Sequence, residues 1–278
     1  MKELVGRHYS NLGAREWRRL VRNPYHRLEF DTTLYFLRKY LPEKGLVLDA
    51  GGGSGRYTIE LARLGYDTVL LDLASGLLSI ARQQIRRMNV QSRVKKVVQG
   101  SIDDLSTFGD ETFDAVACLG GPLCHLPNAK QRDQAIGELF RVVKEERPVF
   151  ISVIGRLGAL HTHVLVQYPD QLEGEGFLAS LFATGDFLFH KELQVHLYLP
   201  DELKNSLTRR SVEIVEMAGL EGFASGHPQE LNRLVRLYPK AWEKWWEIHL
   251  RTCTLPSAIG MSEHFMAICR KSKAAEST

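Results

Sequence analysis

The 278 residues are 44% hydrophobic and 25% charged, enough apolar surface for a buried core and far too much for a disordered chain. A formal net charge of +3 is too small to mark a nucleic-acid binder by itself. No stretch is long and apolar enough to span a bilayer, and the opening MKELVGRHYS has no apolar signal core, so a cytoplasmic protein without a membrane partner is expected; composition gives no reading of oligomeric state.

Residues 1–44 read as an N-terminal helical cap. In NPYHRLEFDTTLYFLRKYLP, Asn23 suits an N-cap and Pro24 the first helical position, while Phe30, Leu34, Leu37 and Leu41 recur on one face until Pro42. Over residues 45–154 short apolar runs alternate with helical periodicity. GLVLDA, DTVLLD, RVKKVVQG, FDAVACLG and RPVFISVI read as strands, with helices near 56–64, 75–88 and 129–143 between them. That alternation predicts an α/β fold with a mostly parallel sheet covered on both faces.

Residues 155–200 lose the pattern and read as a substrate-side insertion over the strand ends. Tyr168, Phe182, Phe187 and Phe189 are expected to build its core. Its histidines are His161, His163, His190 and His196. His161 and His163, two apart, would share one face of a strand, but a metal would need a third ligand such as Asp170 or Asp186, and no metal is expected. Residues 201–272 return to the core with additional helices and the apolar strand EHFMAICRK, and residues 273–278 read as a flexible tail. The tryptophans Trp242, Trp245 and Trp246 lie at helical spacing and read as packing. Cys118, Cys124, Cys253 and Cys269 lack metal or disulfide spacing and read as buried thiols.

The chemistry centres on VLDAGGGSGRYTIELA. Arg56-Tyr57-Thr58 follows Gly55 where a Walker loop needs lysine and a hydroxyl, which sets nucleotide hydrolysis aside. Gly51, Gly53 and Gly55 would suit a dinucleotide turn, but Asp49 directly before them would repel a pyrophosphate and instead balance a cationic amino group. Asp72 ends the second strand, where a carboxylate can grip two ribose hydroxyls. Asp103 follows the third strand and can accept from an adenine amine, with Ile102 against the ring.

VLDAGGGSGRYTIELARLGYDTVLLDLASGLLSIAR, GSIDDL, FDAVACLGGPLCHLPN and SEHFMAICRK together resemble the class I S-adenosylmethionine-dependent methyltransferases of type 11/25. The opening GAREWRRLVRNPYHRLEF is similar to a subgroup that includes a tRNA wobble-uridine carboxymethoxy methyltransferase. The resemblance implies a Rossmann-like seven-stranded sheet with an antiparallel last strand, an N-terminal cap and an insertion after strand 5. It implies S-adenosylmethionine as cofactor, its methionine portion on Asp49, Gly51, Gly53 and Gly55, its ribose on Asp72 with Leu73 against the adenine, and the adenine amine on Asp103 beside Ile102. Leu119, ending the fourth strand, completes the cofactor set.

N-terminal helices cap the cofactor cleft in that class, so Tyr9, Arg18, Arg22, His26 and Arg27 become candidates to hold the cofactor carboxylate or a substrate phosphate. His125, after Gly120, Gly121 and Pro122, is either the catalytic group that deprotonates or orients an acceptor, or a helix cap. Residues 1–40 hold nine basic residues against four acids, and Arg82, Arg86, Arg87, Arg93, Lys95 and Lys96 follow without an acid. These blocks make an RNA base the leading acceptor. A small metabolite enclosed by 155–200 is the alternative, and a non-catalytic cofactor-binding partner subunit is the third reading. A closed pocket would favour the metabolite and an open cleft on a basic track the RNA.

Overall fold

The computed structural model describes residues 2–167, 173, 176–189, 193–210 and 212–272. Nine strands are named in chain order: β1 (Leu46–Ala50), β2 (Asp67–Asp72), β3 (Val94–Gln99), β4 (Ala115–Cys118), β5 (Pro148–Ile154), β6 (Asp186–Phe189), β7 (Leu193–His196), β8 (Val212–Gly219) and β9 (His264–Lys271). Seven of them form one sheet in the order β3-β2-β1-β4-β5-β9-β8, and β6 and β7 form a separate hairpin sheet. The first five are parallel, while β9 runs antiparallel to both β5 and β8, as the seven-strand expectation required. The strand order reverses at the β1–β4 junction, and a crevice opens beyond the strand ends at such a point.

The central strands are buried on both faces because helices cover each side. Leu48, Val116, Val149 and Ile151 join one apolar cluster, while their neighbours Val47, Ala117 and Phe150 join the other, the two-residue alternation of a pleated strand. Against the second face lies the helix Pro24–Tyr40 with Phe30, Leu34, Phe36 and Leu37. Its start follows the sequence: the Asn23 side chain accepts from the His26 backbone N–H at 3.1 Å, and Pro24 occupies the first turn. At its end Leu41 is extended, the conformation a following proline imposes.

After β5 the chain does not continue as a strand. Residues Arg156–Ala159 are helical and Leu160–Val164 continue as a wider turn, so His161 and His163 do not share a strand face. His163 Nε2 instead meets Glu263 Oε1 at 2.7 Å, and His161 Nε2 lies 3.3 Å from the Met261 carbonyl. Gly158 fixes this packing, since a Cβ there would stand 2.1 Å from the Ser262 carbonyl oxygen. Asp170, Tyr168 and His190 lie outside the described residues, as does the Phe189 side chain. Phe187 is buried as expected, but Phe182 is exposed.

The β6–β7 hairpin, Ala159, Val164 and Leu181 pack with Val5 of the first helix, Lys2–Leu12. That helix therefore lies between the hairpin and the strand ends. Buried His196 ties the hairpin to the core, held by Asp186 Oδ1 at 2.9 Å and by Glu202 Oε1 at 2.6 Å. All four cysteines are free buried thiols. Trp242 and Trp245 stack at 5.7 Å, and Trp245 and Trp246 both stack on the ring of buried His249, so these rings are packing. No helix among the described residues is long and apolar enough to cross a membrane.

Candidate active site

The glycine turn is pinned to the end of β2. The N–H groups of Gly51 and Gly52 both donate to the Leu71 carbonyl, at 2.7 and 3.2 Å. Asp72 continues the anchoring: Oδ2 accepts from Gly53 N–H at 2.8 Å and Oδ1 from Ala74 N–H at 2.7 Å. Gly51 has φ of 78°, and a Cβ there would sit 2.5 Å from the Pro122 ring. The turn is thus glycine because neighbouring chain presses on it from behind and beside.

Beyond it opens a cleft of ≈ 1000 Å³, counted out to the open solvent at its mouth. Of the expected cofactor residues, Gly51, Gly53, Asp72, Leu73, Ile102 and Leu119 line it. Asp49, Gly55 and Asp103 stand behind its wall. Asp49 is fully buried; its Oδ2 accepts from the Thr58 backbone at 2.9 Å and from the Thr58 hydroxyl at 2.5 Å, while Oδ1 has no partner. Gly55 starts the helix Arg56–Arg63 with φ of 79°, and its missing Cβ lets Ala81 approach. Asp103 accepts from Lys2 Nζ at 2.7 Å and from Ser101, tying the first helix down. Burial raises its carboxyl, but Lys2 and Ser101 outweigh this and hold it below the ordinary carboxylate range.

Burial likewise pushes the Asp49 carboxyl up, from 3.8 to about 6, against the pull of Thr58. A raised carboxyl binds its proton more tightly in the folded chain. Its stabilising contribution is complete below the unfolded value and is lost as pH rises through about 6. Unfolding free energies measured by urea at pH 4 and pH 7.5 should therefore show a gap between wild type and Asp49→Asn that shifts by about 2 kcal/mol. An unchanged gap would remove the buried-charge account of Asp49.

The N-terminal cap contributes differently from expectation. Tyr9 lines the cleft, but Arg18, Arg22 and Arg27 are exposed and do not, nor does His26. Arg22 contacts His26, and Arg27 pairs with Asp31 at 3.1 Å. Burial and Arg22 lower His26 to about 4. The arginine that enters is Arg19. Its Nε meets Glu16 Oε1 at 2.8 Å and its Nη1 meets Glu29 Oε2 at 3.0 Å, with Nη2 placed over Gly120. Sequence reasoning missed it because the helix Ala14–Arg19 has six residues and no apolar repeat to phase Arg18 against Arg19. Glu16, three residues earlier, was the available signal.

His125 ends the short turn Pro122–His125, set up by left-handed Gly120 and Gly121 at φ of 79° and 82°. Its Nε2 lies 2.7 Å from Tyr9 Oη, with both rings at the cleft. Burial lowers the imidazole to about 4 and raises the Tyr9 phenol, so the pair is uncharged near neutral pH. His125 Nδ1 is buried without a partner.

Residues 47–146 match the methyltransferase-domain family. These hundred residues form a domain of the class I S-adenosylmethionine-dependent methyltransferase superfamily. The chain is 27% identical over 159 residues to the putative methyltransferase YqeM of Bacillus subtilis, a match covering 57% of this chain and 62% of that protein. It is 27% identical over 197 residues to a ubiquinone biosynthesis O-methyltransferase of Xanthomonas axonopodis, covering 71% and 74%. A solved S-adenosylmethionine-dependent methyltransferase from Methanosarcina mazei shares the fold, with a TM-score of 0.57 at 19% identity over 86% of this chain and 98% of that one.

The methyltransferase cleft fits the superfamily's cofactor, S-adenosylmethionine. It has a backbone cradle, an acid at the end of β2, apolar Leu73 and Ile102 beside it, and an arginine at the opposite side. No lysine follows the glycine turn to meet a phosphate.

Proposed function

We propose that this domain methylates a small-molecule acceptor enclosed beside the cofactor. The observation that carries this reading is the roof of the cleft. The helix Lys2–Leu12 supplies Lys2, Val5, Gly6 and Tyr9 to its lining, and Tyr9 closes onto His125 from across the strand ends. Ala159, Val164, Leu181 and the β6–β7 hairpin support that helix, and we read their segment, 155–200, as the substrate-side insertion. The second basic block lies elsewhere: Arg82, Arg86, Arg87, Arg93, Lys95 and Lys96 are exposed and none lines the cleft. The enclosed cleft favours the metabolite over the RNA reading. The ubiquinone biosynthesis O-methyltransferase among the relatives is in keeping with this class.

When bound, S-adenosylmethionine supplies a methyl group on a sulfonium, which passes to the acceptor by in-line displacement. The chain's residues then have three tasks. Asp72 holds the ribose, Leu73 and Ile102 pack the adenine, and the Arg19 guanidinium holds the methionine carboxylate. The first helix excludes water. The His125–Tyr9 pair orients the acceptor and receives its proton where the acceptor must lose one.

Methyl-labelled S-adenosylmethionine, offered with an RNA-free metabolite extract or with total RNA, tests the acceptor class. Label is expected in small molecules alone; label surviving in methylated nucleosides would return the reading to RNA, and no label in either pool would favour the non-catalytic partner. Once an acceptor is in hand, His125→Ala should lower kcat by about 100-fold with cofactor affinity nearly unchanged. Equal loss in both would make His125 a structural residue.

A further inference from the structure

Beside the cofactor cleft, a second set of buried polar groups has no part in methyl transfer. His264 opens β9 and pairs in register with Ile154 at the end of β5, which places it on the same strand-end face as the cleft. Glu221 follows β8, and Glu29 comes from the helix Pro24–Tyr40. One ligand atom from each of Glu29, Glu221 and His264 lies within 4.8 Å of the others. His264 Nδ1 stands 2.8 Å from Glu221 Oε1 and 3.9 Å from Glu29 Oε2.

The Glu29 and Glu221 side chains are only 4% and 3% exposed. Glu221 Oε2 is satisfied by the His264 backbone N–H at 2.8 Å and the Ser262 hydroxyl at 3.0 Å. Glu29 Oε2 accepts from Arg19. Glu29 Oε1, however, is buried and has no hydrogen-bond partner. A carboxylate oxygen left bare in the interior is costly, and such an orphan calls for a missing partner. A third carboxylate stands adjacent: Glu263 accepts from Tyr25 Oη at 3.0 Å and meets His163 at 2.7 Å. Against Glu29, Glu221 and Glu263 stand Arg19 and His264, whose imidazole burial lowers but the neighbouring glutamates raise to about 10, so the acids outnumber the cations by one and a metal ion entering here displaces the His264 proton.

We propose that Glu29, Glu221 and His264 bind a first-row divalent metal ion, joining the cap helix to the strand ends through the Glu29 carboxylate, which is left half-satisfied by Arg19. Two carboxylates and one imidazole form a mixed oxygen and nitrogen set, which suits Zn²⁺ or Mn²⁺ better than Mg²⁺. Three protein ligands leave further positions to water, and side-chain shifts of under an ångström or so close the triad to bonding distances of about 2.0–2.2 Å. The site is separate from the cofactor cleft, and the inference stands without the acceptor reading. It also gives a second role to Arg19, which holds Glu29 Oε2 and lines the cleft, and so links the two sites.

The test uses the full chain, stripped with a chelator and titrated separately with Zn²⁺, Mn²⁺ and Mg²⁺ by calorimetry, with melting followed in parallel. One equivalent of Zn²⁺ or Mn²⁺ should bind and raise Tm, with affinity at least about 10-fold weaker in Glu29→Gln and Glu221→Gln. His227→Ala, which removes an exposed histidine near Glu230, should bind as wild type. X-ray absorption of the Zn²⁺-loaded wild type should show nitrogen and oxygen scatterers alone, a readout independent of whether any variant folds. Absence of stoichiometric binding, undiminished binding in both glutamine variants, or a sulfur shell from a cysteine would each overturn the proposal.

Discussion

Gly52→Ala is expected to lose cofactor affinity by about 100-fold or more, and to be less stable by about 1–3 kcal/mol. Gly52 has no left-handed backbone to protect; the obstacle is space. A Cβ there would stand 2.4 Å from the Asp49 carboxyl and 2.5 Å from Leu70 Cδ1. Neither neighbour can yield, since Asp49 and Leu70 are fully buried and Asp49 is held by two hydrogen bonds from Thr58. The loop must move outward into the space the cofactor takes. That motion also breaks the bonds from Gly52 to Leu71 and from Gly53 to Asp72 that set the cradle. Gly260→Ala is the control: no heavy atom lies within 4 Å of its Cβ position in the helix Pro256–Met261, so it should be neutral or slightly stabilising. Calorimetric titration with S-adenosylmethionine and urea unfolding decide the matter. A Gly52→Ala protein that binds cofactor within a factor of about 3 of wild type would refute the steric account.

The same crowding explains which parts of the site were legible in the sequence. The strand and helix segments, and with them the places of the glycine turn and Asp72 at strand ends, followed from patterns with periods of two and of three to four residues, and these are fixed by backbone geometry. The direction of a single side chain at a strand end is not. Asp49 shares the sheet face of Val47, which the helix Arg56–Arg63 covers, so its carboxylate supports the loop from beneath. Asp103 was placed by a partner far away in sequence, Lys2, and Arg19 by Glu29. Long-range ion pairs of this kind leave no local spacing to read.

Charge counting met a related limit. The excess of basic residues in the first forty positions suggested an electrostatic footprint, yet much of it is spent internally. Lys2 pairs with Asp103, Arg19 with Glu16 and Glu29, Arg27 with Asp31, and Lys39 with Glu216. A local surplus in sequence becomes a surface field only where the partners are not elsewhere in the fold.

On the proposed reading Arg19 is where stability and cofactor recognition meet, and its replacement separates them. Arg19→Met keeps the length of the side chain but leaves Glu29, 4% exposed, without its guanidinium. Breaking a buried pair by removing one partner strands the other charge, here at a cost of about 3 kcal/mol, the lower end because Arg19 itself is 29% exposed. Cofactor affinity should fall by at least about 10-fold as the carboxylate loses its charge-assisted contact. Adding Glu29→Gln removes the stranded charge, so the double variant should regain most of the lost stability in urea unfolding. It should not regain S-adenosylmethionine affinity, because no cation has been returned to the cleft. Recovery of both quantities together would mean that Arg19 serves the fold alone, and wild-type affinity in Arg19→Met would move the cofactor carboxylate to another residue, with Arg56 the remaining arginine on the cleft wall.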